Sequence, residues 1–266
     1  MSTSASTSRA WYNDSEPYVS DWARNLIKAG LVMDGDVDGR PIQEVQPADL
    51  KGYRRCHFFS GILGWDLALQ LAGWPLDREV WTGSCPCQPF SVAGKRLGAA
   101  DTRHLWPEWF RLIKECKPAA IFGEQVASKA GLKWLDSLFA DLESVGYAVA
   151  GADLPAYSKG YPHQRRRLYF TAYTSMRGRE RLQQCPPEQI PKDRPPETLG
   201  AWDSLGNPFQ DWRKLLAETR IDKLDDGVSS MLVVRPSLKA IGNSIVPQVA
   251  AEFIKAVLSA LDEGAL

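Results

Sequence analysis

The chain has 266 residues, 44% of them hydrophobic, which suffices for one large domain with a buried core. Lysine plus arginine and aspartate plus glutamate both number 32, so the balance argues neither for nor against a polyanionic partner. Five cysteines, an odd number without framework spacing, and no signal-like apolar start point to a reducing, cytoplasmic compartment, and no apolar run approaches the ~18 residues of a membrane span.

Charge is unevenly spread. Residues 1–50 carry four basic and eight acidic side chains, whereas residues 151–185 carry seven basic and two acidic ones. The second stretch, from Lys159 through Arg165, Arg166 and Arg167 to Arg177, Arg179 and Arg181, favours anions.

Residues 1–8 are rich in serine and threonine and are expected to be disordered. Arg9 to Asn13 reads as a short strand, followed by a helix with Pro17 in its first turn. Tyr18, Trp22, Leu26 and Ile27 would share its apolar face, and Gly30 would end it. Gly35-Asp36-Val37-Asp38 reads as a turn near a strand end, its acids meeting either a polar ligand or solvent.

Arg55 to Ser60 reads as a buried strand, which Gly61-Ile62-Leu63-Gly64 turns into a helix with Trp65, Ala68, Leu69 and Ala72 on one face before Gly73. The same alternation continues through a strand at 79–83, a helix at 106–116, a strand at 119–123, and a helix with Trp134, Leu135, Leu138, Phe139, Leu142 and Val145 closed by Gly146. Strands near 147–152 and 168–173 and a final helix carrying Val249, Phe253, Ile254, Val257 and Leu261 complete the pattern. It predicts an α/β fold, a doubly wound and mostly parallel sheet covered on both faces. The domain spans 9–173 plus 236–266. Between 174 and 235 the pattern fails amid clustered prolines, and a small irregular insert is expected.

The stretch Gly83-Ser84-Cys85-Pro86-Cys87-Gln88-Pro89-Phe90-Ser91 sets Cys87 after a proline where a strand runs out, a place where a thiol can be activated. The Cys-x-Cys pair could also ligate metal, or both thiols could be packed. His57, His104 and His163 stand alone and no second cysteine pair has zinc spacing, so no metal is expected.

Taken together, these motifs resemble the cytosine-5 DNA methyltransferase family of phage and bacterial type. Phe58 to Gly64 is similar to its S-adenosylmethionine loop, Pro86-Cys87-Gln88-Pro89-Phe90-Ser91 to its catalytic motif, and Glu124-Gln125-Val126 to its Glu-Asn-Val motif. Gln164 to Tyr169 resembles its arginine motif, and Gly242-Asn243-Ser244-Ile245-Val246-Pro247 its closing motif. The resemblance implies a Rossmann-like, S-adenosylmethionine-dependent methyltransferase fold and double-stranded DNA as substrate. Cys87 would add to cytosine carbon 6, Glu124 would hydrogen-bond ring nitrogen 3, Arg167 would hold the 2-carbonyl, and Arg165 would steady the site or a phosphate.

The cofactor would meet Phe59, Ser60, Gly61, Ile62, Gly64, Trp65, Pro86, Asn243 and Ser244. DNA would meet Gln88, Ser91, Lys95, Arg96, Arg177, Arg179 and Arg181, with the cytosine extruded from the stack. Asn13-Asp14-Ser15-Glu16 is similar to the family's ribose-binding turn and Gly35-Asp36-Val37 to its adenine-side turn. Asp14, Glu16, Asp36 and Val37 would therefore serve the cofactor although they precede the glycine loop, which implies a permuted order.

Two substitutions depart from the family pattern: Leu63 stands where a second glycine is usual, facing either the cofactor or the core, and Gln125 replaces asparagine. The insert is also short for target recognition, which leaves a role for a partner subunit, although a monomer is favoured. The rival readings are a catalytically silent DNA-binding relative, a cytidine nucleotide carbon-5 modifying enzyme, and a nucleotide-binding oxidoreductase, whose Gly-x-Gly-x-x-Gly fingerprint is absent.

Overall fold

A computed structural model describes residues 9–86, 105–159, 165–174 and 244–262. The expected disordered tail, most of the insert, Cys87, Gln88, Ser91, Lys95, Arg96, Arg177, Arg179, Arg181 and Asn243 lie outside the described residues.

In chain order the elements are β1 (Ala10–Asn13), α1 (Pro17–Lys28), β2 (Gly35–Asp38), two 3-10 turns (Ile42–Glu44 and Pro47–Leu50), β3 (Arg55–Phe58), α2 (Gly64–Ala72) and β4 (Val80–Gly83). They continue with α3 (Trp106–Cys116), β5 (Ala120–Val126), α4 (Lys129–Ser144), β6 (Ala148–Leu154), β7 (Arg167–Tyr173) and α5 (Pro247–Asp262). The seven strands form one sheet in the order β2-β1-β3-β4-β5-β7-β6. It is parallel through β5, and only β7 runs antiparallel to its two neighbours. Gly35 to Asp38, expected as a turn, is a strand paired with all four residues of β1.

Alternate residues of each strand enter opposite layers, as the pleat requires. Trp11, Cys56, Phe58, Trp81, Ile121 and Phe170 join Trp109, Leu112 and Ile113 of α3 and Leu135, Leu138 and Leu142 of α4. Val80, Ala120, Phe122, Tyr169 and Tyr173 join Trp65, Ala68 and Leu69 of α2 and Val249, Ala250 and Ile254 of α5. Ala10 and Tyr12 extend this second face beneath Ala23 of α1, since Tyr12, His57, Thr82 and Phe122 are register partners in a row across four strands.

One expected face is corrected. Val19, Ser20 and Ala23 are the buried residues of α1, while Trp22 is 39% exposed and stacks on Tyr18 outside the core. The small Ala23 lets the helix sit close on β1, which pushes the bulky neighbour at the margin of the stripe into solvent.

The layering fixes the hands of the crossovers. α1 carries the chain from β1 outward to β2, whereas α2 carries it from β3 the other way to β4, yet both helices lie on the same face. The two units therefore have opposite hands. α3 moves in the direction of α2 but on the opposite face, as do the 3-10 turns whose Ile42 and Leu50 enter the α3 core, so both share the hand of α1. Because such crossovers are right-handed in about 98% of cases, β3-α2-β4 is the left-handed one.

Candidate active site

Phe58 ends β3 level with Asn13, Asp38 and Gly83, the last residues of three neighbouring strands. The glycine loop leaves from this edge with Phe59, Gly61 and Leu63 all at positive φ (49°, 50° and 65°). Such a loop turns sharply enough to aim the start of α2 back at the strand ends. Phe59, Ser60, Gly61, Ile62, Gly64 and Trp65 line a pocket there, closed by Ser84 after β4 and by Ser244 and Ile245 before α5. A Cβ on Gly64 would come within 2.8 Å of Ile245 Cγ1, so the absent side chain permits the closing segment to seat.

Leu63 resolves its two alternatives in favour of the core: it is 2% exposed and packs with Ala10, Tyr12 and Ala23. A left-handed leucine is strained, and burial of its side chain compensates.

The acidic turn upstream reaches the loop. Asp14 Oδ2 accepts a hydrogen bond from Gly61 N–H (2.9 Å), and its Oδ1 accepts one from Glu16 N–H (3.0 Å). Asp36 is placed differently, two residues before the carboxyl end of β2. Its carboxylate accepts from Arg9 Nη2 at 2.9 Å and from the Tyr53 hydroxyl. Val37 points the other way and packs beside Tyr12 and Ala23.

Glu124 lies near the end of β5, 7% exposed. Its antiparallel partner on β7 is Tyr169, so Arg167, two residues earlier on β7, stands diagonally on the same face, with Nε 2.8 Å from Glu124 Oε1. Burial pushes the Glu124 carboxyl above the ordinary range, against the opposing pull of Arg167, Arg165 and the Ser84 hydroxyl. Arg165, at φ 28°, donates from Nη2 to the Ser244 carbonyl at 2.6 Å and so ties the start of β7 to the closing segment. Burial, with Arg167 nearby, lowers its pKa.

Two hydrogen-bonding and packing arrangements secure the chain on its way to Cys87. Gln125, 2% exposed, donates from Nε2 to the Cys85 carbonyl at 3.3 Å. Cys85 itself is 3% exposed within the α3 core, which is the packed-thiol alternative realised for that residue. Pro86 follows, half-buried, and Cys87 is next in sequence.

Thus Phe59, Ser60, Gly61, Ile62, Gly64, Trp65 and Ser244 come together around one pocket, Asp14 braces its loop, and Asp36 is engaged elsewhere. Sequence reasoning missed Ser84, Ile245 and the anchoring role of Gln125. Ser84 was detectable only as the first residue beyond β4, in step with the first residue beyond Gly123 on β5.

A doubly wound sheet thus carries a glycine loop at the carboxyl end of β3 and, at the same edge, Glu124 near the end of β5 paired with Arg167 at the start of β7, an arrangement of the kind seen in nucleotide-cofactor enzymes. The profile of the C-5 cytosine-specific DNA methylase family matches residues 74–228, and the chain belongs to that family. The chain is 35% identical over 119 residues to the type II methyltransferase M.AluI of Cellulosimicrobium cellulans, covering 40% of this chain and 23% of the relative. It is 38% identical over 104 residues to M1.ScrFI of Lactococcus lactis subsp. cremoris, covering 36% and 26%. The chain thus spans about a quarter of the length of these curated relatives. The solved structure of S. pombe Dnmt2 methyltransferase aligns with a TM-score of 0.46 at 14% identity, over 96% of this chain and 99% of that one. No helix among the described residues is long and apolar enough to cross a membrane.

Proposed function

We propose that the chain is a DNA cytosine-5 methyltransferase of the restriction-modification kind, working on double-stranded DNA with S-adenosylmethionine. The observation that carries the reading is the buried Glu124–Arg167 pair, set beside the Cys85-Pro86 turn that leads to Cys87 and beside the glycine-loop pocket.

The pocket residues fit the cofactor. Phe59, Ser60, Gly61, Ile62, Gly64 and Trp65 line one pocket, and the Asp14 carboxylate that braces this loop, an acceptor with roughly four lone-pair sites on its two oxygens, suits ribose hydroxyls. When bound, S-adenosylmethionine supplies an electrophilic methyl group. Cys87 thiolate would bond to carbon 6 of an extruded cytosine, moving the 5,6 π electrons toward carbon 5 and leaving charge on nitrogen 3 and the 2-carbonyl. Glu124, whose carboxyl burial shifts toward the protonated form, would donate to nitrogen 3, and Arg167 would bond the carbonyl oxygen. After methylation, loss of the carbon 5 proton and expulsion of Cys87 would restore the ring.

The left-handed β3-α2-β4 unit supports the permuted order. If α2 led instead to β1, the same helix in the same place would make a right-handed crossover, which is the connection an unpermuted order would have.

A duplex carrying 5-fluorocytosine should trap the chain through Cys87, and Cys87→Ser should abolish the adduct. Equal trapping by Cys87→Ser refutes the assignment. Alanine at Arg177, Arg179 and Arg181 together should lower the salt slope of DNA binding, by roughly 0.9 for each phosphate that is no longer neutralised.

A further inference from the structure

Ser84 and Cys85 carry the chain from the end of β4 to Pro86, and each is held by a side chain from a different element. Gln125 on β5 holds the second: its Oε1 accepts from Val126 N–H at 2.9 Å, which fixes the amide, and its Nε2 donates to the Cys85 carbonyl at 3.3 Å. Trp65, in the first turn of α2, holds the first by donating from Nε1 to Ser84 Oγ at 3.1 Å. An indole N–H can only donate, so the serine oxygen is the acceptor. The two anchors differ in what else they touch. Trp65 and Ser84 both line the glycine-loop pocket, whereas Gln125 is buried away from its lining. Behind the pocket the Trp65 ring stacks on Phe122 (centroids 6.4 Å apart, 27° between planes) and meets Tyr169 edge-on (6.2 Å, 78°). Its back is therefore set in the core while one side borders the pocket and its N–H reaches the turn.

We infer that Trp65 is a positioning residue that couples occupancy of the glycine-loop pocket to the placement of the Ser84-Cys85-Pro86 turn. The inference rests on the proposed function in taking a ligand of the S-adenosylmethionine kind as the occupant. A ligand packed against the pocket side of the indole narrows the motion of the ring, and because Nε1 is bonded to Ser84 the same restriction reaches the turn. Such coupling is reciprocal: whatever fixes the ring for the turn also fixes it for the ligand. Gln125 lacks that reach and acts as a static anchor.

The test reads hydrogen exchange at the Ser84 and Cys85 amides of the full chain by NMR, with and without saturating S-adenosylhomocysteine. In the wild type the ligand should slow exchange there. In Ser84→Ala, and in Trp65→Phe, which keeps an aromatic ring but no donor, that slowing should fall by roughly threefold to tenfold, the effect of one neutral hydrogen bond. Ser84→Thr, which keeps the acceptor, should restore it. By reciprocity, Ser84→Ala should weaken ligand affinity in calorimetry by the same factor. Gln125→Ala should instead speed exchange equally in both states. Equal slowing in the wild type and folded Ser84→Ala, or slowing lost only in Gln125→Ala, overturns the inference and leaves the proposed function intact. Ligand-dependent slowing that needs Trp65 and Ser84, in a chain that transfers no methyl to a mixed-sequence duplex, upholds the inference and refutes the proposed function.

Discussion

Arg167 and Glu124 are joined by a 2.8 Å ion pair across two antiparallel strands, at 19% and 9% side-chain exposure, so each makes the other's burial tolerable. Arg167→Leu should therefore destabilise the chain at neutral pH by about 3 kcal/mol, the low end for breaking a buried pair because Arg167 keeps some solvent. The sign with pH follows from the raised Glu124 pKa. A carboxyl whose folded pKa lies above the unfolded value contributes stability at low pH and loses it as pH rises through the folded value. Urea unfolding of Glu124→Gln and wild type across pH should show the variant gaining on the wild type as pH rises. A pH-independent difference would place the acid in an ordinary environment.

The strained Leu63 sets two effects against each other. Leu63→Gly relieves about 1–2 kcal/mol of left-handed strain but removes a fully buried leucine side chain, worth roughly 2–5 kcal/mol. Burial wins, and the variant should be less stable by about 1–3 kcal/mol in denaturant melts. Because the side chain faces Tyr12 and Ala23, affinity for S-adenosylmethionine, read by calorimetry, should change little in the folded variant. A large gain in affinity would mean that Leu63 crowds the pocket.

Beneath the loop, Asp66 is wholly buried and accepts from Gln70 Nε2 (2.6 Å), Met33 N–H (3.2 Å) and Arg55 Nη1 (3.4 Å), with His57 Nε2 3.5 Å away. Burial alone would raise its pKa, but His57, Gln70 and Arg55 outweigh it and hold it at about 2. A depressed carboxylate contributes stability above its unfolded pKa and loses it as pH falls through the folded one, here roughly 2–3 kcal/mol between about pH 4 and 2. Asp66→Asn should flatten that acid limb in unfolding experiments and lower stability at pH 7, since Arg55 is left buried without its counter-charge. A retained acid limb would assign it to other carboxylates.

The hand of β3-α2-β4 makes a prediction about connectivity. The starts of three strands abut: Arg54 N–H donates to Arg9 O (3.0 Å) and Val80 N–H to Arg54 O (2.9 Å). Moving residues 9–54 to a position between α2 and β4 therefore needs only short new connections and makes every crossover in this half right-handed. The rearranged chain should fold, with a melting temperature close to that of the parent, and bind S-adenosylmethionine. Failure of several rearranged chains with varied linkers to fold would mean that the observed order is required.

By itself the sequence determined the alternation of strands and helices, the glycine loop, the Glu124 and Arg167 motifs and the apolar faces of α2, α4 and α5, because these rest on local periodicity, on glycine's freedom and on short motifs read along one chain. Trp22 misled at that level, since a 3.6-residue stripe cannot say which of two adjacent aromatics lies at its margin. Tertiary structure alone decided that Leu63 faces the core, that Asp36 is taken up by Arg9 and Tyr53, that Gln125 anchors the Cys85 carbonyl, and that Ser84 accepts from Trp65 beside the pocket. Each of these depends on strand order and register. Strand order sets which residues 40 or more positions apart share an edge, as Gln125 and Cys85 do, and nothing local in the chain encodes that distance.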